Sequence, residues 1–178
     1  MVTKQVSFYE EMTNVPFIIA GPGIHPRQKP VEDLLTQPTI DLLPTLCELA
    51  GIPVPSSKPG ISLAPFLKGE KQKRQHPYAA SEWHSEYEVT VSPGRMIRSP
   101  RYKYTHYLEG NGEELYDMLK DKGERRNLAH DPKYSKILAE HRALLDDYIR
   151  RTQDDYRSLK VEADKRWRSH APGYPNHE

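Results

Sequence analysis

The chain has 178 residues, 36% of them hydrophobic and 29% charged, with a formal net charge of +1. This is the composition of a folded domain rather than a disordered or membrane-embedded one, and near-neutrality argues against nucleic-acid binding, which needs clustered excess Lys and Arg. The single cysteine, Cys47, makes no internal disulfide and belongs to no Cys/His zinc set.

No apolar run approaches the ~20 residues of a membrane span, and the opening Met1-Val2-Thr3-Lys4 lacks the basic-then-apolar pattern of an export signal. Val15-Pro16-Phe17-Ile18-Ile19-Ala20 is continuously apolar and stops at Gly21-Pro22-Gly23, which predicts a strand buried on both faces in a parallel sheet. Its partners would have to come from sequence upstream of Met1.

Polar residues follow, and then Asp41 is placed to cap a helix over Leu42 to Ala50. Pro44 falls in its first turn and Gly51 closes it; a start at Pro38 with a kink at Pro44 is the other option. Leu42, Leu43, Leu46 and Leu49 give this helix a broad apolar face, with Cys47 packed as a small hydrophobe. From Ile52 to Gly69 Pro and Gly recur and a loop is expected, anchored by Leu63, Phe66 and Leu67.

Tyr78 to Trp83 reads as a strand, followed by a loop over His84 to Glu88 and an extended stretch at Val89 to Val91. Arg95 to Leu119 then reads as a β-hairpin, because Asn111-Gly112 supplies the positive φ angles of a tight reversal. Tyr102, Tyr104 and His106 alternate with Lys103, Thr105 and Tyr107, so one face is expected to pack and the other to carry charge into solvent. Asp131-Pro132 opens a helix whose stripe of Tyr134, Leu138, His141, Leu145, Tyr148 and Thr152 should lie on the hairpin sheet. Tyr156, Leu159, Ala163 and Trp167 could extend it.

Read together, Val15 to Gly23, Asp41 to Ile52, Gly60-Ile61-Ser62-Leu63, Met96-Ile97-Arg98, Tyr102-Lys103-Tyr104, Glu114-Leu115-Tyr116-Asp117 and Asn127-Leu128-Ala129 resemble, in this order, the later part of the type I sulfatases. At Asp121-Lys122-Gly123-Glu124 the sequence departs from that family's usual Asp-Pro-x-Glu. The resemblance implies an α/β class, α+β for this chain taken alone. It would hold the end of an alkaline-phosphatase-like parallel sheet and a C-terminal antiparallel sheet packed on a helix. The expected divisions are 1–75 for the end of the catalytic α/β domain, 76–153 for the sheet and helix, and 154–178 for an extension.

Such enzymes cleave sulfate esters with a formylglycine made from Cys or Ser in Cys/Ser-x-Pro-x-Arg, beside a calcium held by carboxylates. Cys47 has Leu49 and Gly51 where Pro and Arg are required, and Ser57 has Pro59 but then Ile61. No paired aspartates precede Val15. Catalytic and metal residues are therefore expected to be absent here, with calcium and formylglycine in an N-terminal catalytic part. By the same resemblance the enzyme would be periplasmic or secreted.

Five residues remain as candidates for contact with a sulfate ester, including one carried on a carbohydrate. Lys4 precedes Tyr9-Glu10-Glu11 and Val15-Pro16, where the family places a sulfate-binding lysine. Glu82, Trp83 and His84 lie where a strand runs into a loop, with Trp83 suited to stacking on a sugar and His84 to hydrogen-bonding a hydroxyl or sulfate. Arg98, like Arg95, could meet an anion. His170, Tyr174 and His177 could close over a pocket. The rival readings are a sulfated-glycan-binding or scaffold module without catalysis, and a fragment of a related phosphatase or phosphonate hydrolase.

Overall fold

The computed structural model describes residues 7–27, 29, 31, 34–57, 59–70, 76–83, 93–108 and 112–158. They fall into two compact units, one with the described residues of 1–13, 81–97 and 102–178, the other with those of 14–80 and 98–101. A four-stranded antiparallel sheet has the order β1-β2-β3-β4, so each strand lies beside its neighbour in sequence. The strands are β1 (Ala79–Trp83), β2 (Gly94–Arg98), β3 (Tyr102–Tyr107) and β4 (Glu113–Asp117). The extended stretch expected at Val89 to Val91 lies outside the described residues.

In the first unit the hairpin forms as its alternation requires. Tyr102 pairs with Asp117, Tyr104 with Leu115 and His106 with Glu113, which puts these six side chains on one face. Helix α4 (Ser135–Thr152) covers that face. A 3₁₀ turn over Pro132–Tyr134 leads into it, opened by the Asp131 carboxylate accepting from the Lys133 amide at 3.1 Å. Leu138, His141 and Leu145 are its buried stripe, and the His141 ring meets Tyr102 edge-on at 5.8 Å. Gln153, at φ 55°, stops the helix, so the extension through Tyr156 does not form; a short 3₁₀ turn, Tyr156–Ser158, follows instead.

The opposite face is not the solvated one that alternation suggested. Lys103 and Thr105 are each 1% exposed, because residues 7–13, including the short helix α1 (Glu10–Thr13), lie over them. Phe8 packs on Tyr107 and Tyr9 on Tyr116. The Lys103 ammonium sits 2.7 Å from Glu10 and 2.9 Å from Glu124 and donates to the Phe8 carbonyl at 2.8 Å. A second carboxylate oxygen of Glu124 accepts from the Glu10 amide at 2.7 Å. Glu124 adopts φ 50°, held in a turn where Asp121 accepts from the amides of Arg125 and Arg126.

Acid should weaken this unit in two steps. Burial pushes His141 and His106 below the usual histidine value, so both are favoured neutral in the fold. Their contribution is complete above about pH 6.5 and is lost as pH falls through their depressed values. Glu113, bonded to Arg142 and to the Tyr104 hydroxyl, is lowered to about 2. Its contribution holds above about pH 4.5 and disappears as pH falls toward 2. The screened Arg142 pair limits it to about 0.5–1 kcal/mol. Urea midpoints at pH 7, 5 and 3 should decline in that order, with H141Q removing part of the first step.

In the second unit, residues 14–20 form no strand, and Ile18 is 86% exposed. A strand needs ladder partners, and none of the described residues pairs with this segment, so its apolarity finds no cover here. Helix α2 runs over Pro38–Leu49, with proline at its first position, so the earlier of the two starts is the one observed. Pro44 lies inside it. Pro44 carries no amide hydrogen for Ile40, and the Ile40 carbonyl is instead approached by Gly60, where a Cβ would sit 1.9 Å from that oxygen. Only glycine fits there.

The face that α2 buries is also the reverse of the expected one. Asp41, Pro44 and Thr45 are buried, whereas Leu42, Leu43 and Leu46 are 41–50% exposed. Asp41 works beyond its own helix end. Its carboxylate accepts from the Gln37 and Ile61 amides, both at 2.8 Å, and from His76 Nε2 at 2.8 Å. Thr45 donates to the Asp41 carbonyl and accepts from the Leu63 amide. These bonds set Ile61, Leu63 and Ala64 into the core, and the expected loop contains a short helix α3 (Ala64–Leu67).

Candidate functional site

The last two residues of β1 are Glu82 and Trp83, and each is held by something different. The Glu82 side chain is exposed, and its carboxylate accepts from the Tyr148 hydroxyl of α4 at 2.6 Å. Burial and this carboxylate raise the Tyr148 phenol well above the usual tyrosine value, so it remains a donor. Trp83 is half-buried. Its carbonyl accepts from Arg95 Nη1 at 2.9 Å, while its indole N–H is buried with no acceptor among the described residues.

Arg95 is not the anion-facing or solvated residue that the sequence suggested. It is 3% exposed, and Asp154 fills its fork, accepting from Nε at 2.6 Å and from Nη2 at 2.8 Å. The Tyr156 ring lies 4.4 Å from the guanidinium, and the Tyr156 hydroxyl hydrogen-bonds His106 Nδ1 at 2.7 Å. Such a bidentate pair beside an aromatic face satisfies a buried guanidinium and leaves little of it for a ligand.

Of the five candidate residues, the structure brings Glu82 and Trp83 together at one strand end. Arg98 ends β2 in the other unit, half-buried, with its guanidinium donating to the Ser99 carbonyl. Lys4 and His84 lie outside the described residues, as do His170, Tyr174 and His177. The polar residues missed from sequence are Lys103, Glu124, Asp154 and the full reach of Asp41. Among the described residues, no three His, Cys, Asp or Glu side chains are grouped to hold a metal ion. No helix described is long and apolar enough to cross a membrane.

The family described as N-sulphoglucosamine sulphohydrolase, C-terminal, matches residues 3–151. The chain belongs to this sulfatase family. A Δ4,5-hexuronate-2-O-sulfatase of Bacteroides thetaiotaomicron is 77% identical over 178 residues, all of this chain and 37% of the relative. A solved 2-O GAG sulfatase, also 77% identical, superposes with a TM-score of 0.90 over 100% of this chain and 38% of its own. A third protein, solved in complex with its substrate D-glucosamine-2-N,6-O-disulfate, is 26% identical, covering 66% of this chain and 25% of its own, with a TM-score of 0.58. The chain thus corresponds to the C-terminal part of a sulfatase and spans well under half the length of these relatives. The antiparallel sheet with its covering helix is the fold that the resemblance implied for this part.

Proposed function

We propose that this chain supplies structural and substrate-facing residues to a sulfatase acting on sulfated carbohydrate, with 2-O-sulfated hexuronate as the favoured substrate class. The observation that carries the reading is the correspondence of the whole chain, in sequence and backbone, to a hexuronate 2-O-sulfatase. Neither Cys47 nor Ser57 stands in a formylglycine motif, so the nucleophile and the calcium ligands are assigned to a part N-terminal to this chain. The uncovered leucines of α2 and the bare Ile18 support this, since a patch of that kind needs a partner surface. The division at 1–75, 76–153 and 154–178 belongs to the same reading, as does secretion or export to the periplasm.

Cleaving a sulfate ester requires charge neutralisation of the sulfate oxygens and fixed orientation of the sugar. Lys4 and Arg98 are the cations proposed for the anion. Trp83 offers a ring on which a sugar can stack, and Glu82 and His84 offer hydrogen bonds to hydroxyls. The test is sulfate release, measured by ion chromatography, from an unsaturated 2-O-sulfated disaccharide with calcium present. The full-length enzyme should release sulfate and this chain alone should release none. Turnover by the chain alone, or full-length enzyme that cleaves only phosphate or phosphonate esters, overturns the proposal.

A further inference from the structure

Arg95 follows Gly94 at the start of β2, where the strand leaves no room for a larger neighbour: a Cβ on Gly94 would lie 2.8 Å from both Phe8 and Tyr107. Arg95 points to the opposite face of the strand, where its guanidinium is itself buried, and its charge has to be met there. Asp154 meets it from the segment just after α4. Gln153, in the left-handed conformation, ends α4 and turns the chain so that Asp154 faces back, and the Asp154 carboxylate also accepts from the Tyr156 amide at 3.1 Å. The pair is thus built into a short return segment that has no other regular structure than the Tyr156–Ser158 turn.

A buried pair of this kind is a poor source of stability, because desolvation offsets most of the attraction and apolar residues of like volume do as well. Its geometry suggests another use. Arg95 Nη1 holds the main-chain carbonyl of Trp83, and six residues before Asp154 in the chain, Tyr148 holds the side chain of Glu82. Two adjacent residues at the end of β1 are therefore tied, one by backbone and one by side chain, to the same end of α4. One tie would fix position, and two also fix rotation about the strand.

We propose that Arg95, Asp154 and Tyr148 are positioning residues that set the angle at which the Glu82–Trp83 end of β1 meets a bound sugar. The inference rests on the proposed reading of that strand end as substrate-facing. Its test uses steady-state kinetics of the full-length enzyme on the 2-O-sulfated disaccharide, with thermal melting measured alongside. D154N keeps the volume but removes the charge that holds Arg95, and should raise KM about tenfold with kcat changed by less than about twofold, because orientation and not chemistry is lost. D154E should restore most of the KM. Y148F, which keeps the half-buried ring and removes only the hydroxyl, should raise KM about threefold by releasing Glu82.

The two readings fail differently. Glu82→Gln and Trp83→Phe that leave KM unchanged remove the substrate-facing assignment, and this inference with it. If those variants raise KM while D154N and Y148F do not, the strand end is substrate-facing but is not positioned from α4, and this inference alone is overturned. A fall in melting temperature for D154N without a change in KM has the same meaning. Should D154N fail to fold, Y148F decides the matter by itself.

Discussion

Replacing Lys103 by methionine should destabilise the protein by about 3–5 kcal/mol, the loss expected when one partner of a buried ion pair is removed and the other remains. Methionine keeps most of the volume, so the loss is electrostatic. The Glu124 side chain is only 2% exposed and would keep its charge without a counterion, while the Phe8 carbonyl loses a donor. Glu10 is partly exposed and can turn to water. Because the penalty arises from the stranded Glu124, the double variant K103M/E124Q should recover a large part of it, and E124Q alone should cost less than K103M, since its amide oxygen can still accept from the Glu10 amide. Urea denaturation of the four proteins closes the cycle. Additive losses would mean that Lys103 and Glu124 do not hold each other.

Substituting Asp41 by alanine should be nearly as damaging, at about 3–5 kcal/mol, since buried donors without acceptors cost about 1–3 kcal/mol each and several are released together. The Gln37 amide, the Ile61 amide and His76 Nε2 all lose the same carboxylate, which is fully buried. Asp41→Asn retains one acceptor oxygen and turns an NH2 group toward donors, so its loss should be intermediate. Hydrogen exchange locates the effect: the amides of Gln37 and Ile61 should exchange faster in D41A, while that of Leu115, bonded to Asn127 in the other unit, should not. Uniform acceleration across both units would show that Asp41 is not a local clasp.

The elements that the sequence revealed are those whose signal is local. The alternation along Tyr102 to His106 gives the register of the hairpin, with Gly112 at φ 64°, and the stripe of Leu138, His141 and Leu145 reports a helix lying on one surface. The strand expected at Val15 to Ala20 and the apolar face expected for α2 share one reason for failing. Hydrophobicity alone does not place a residue in a core: among the described residues nothing covers Ile18, Leu42 and Leu46, and Asp41 and Thr45 turn inward instead. Lys103 was read as solvated because a lysine on an alternating strand usually is. Only a segment some ninety residues earlier, invisible to any local pattern, buries it. At the candidate site, the placement of Glu82 and Trp83 at a strand end was legible, whereas the capture of Arg95 by Asp154 was not, since no spacing rule links residues 59 apart.

The covering of the sheet by residues 7–13 also has a temporal side. Phe8 is 95 residues ahead of Lys103, and Glu10 is 114 ahead of Glu124. At ribosomal speeds of about 5–20 residues per second, Phe8 leaves the tunnel roughly 5–20 s before the lysine that will secure it. For that interval Phe8 waits for the strand it will pack on, while the hairpin that follows can close from neighbouring residues as soon as it emerges. Residues 7–13 would then be fixed in place only after the strands made well behind them have paired.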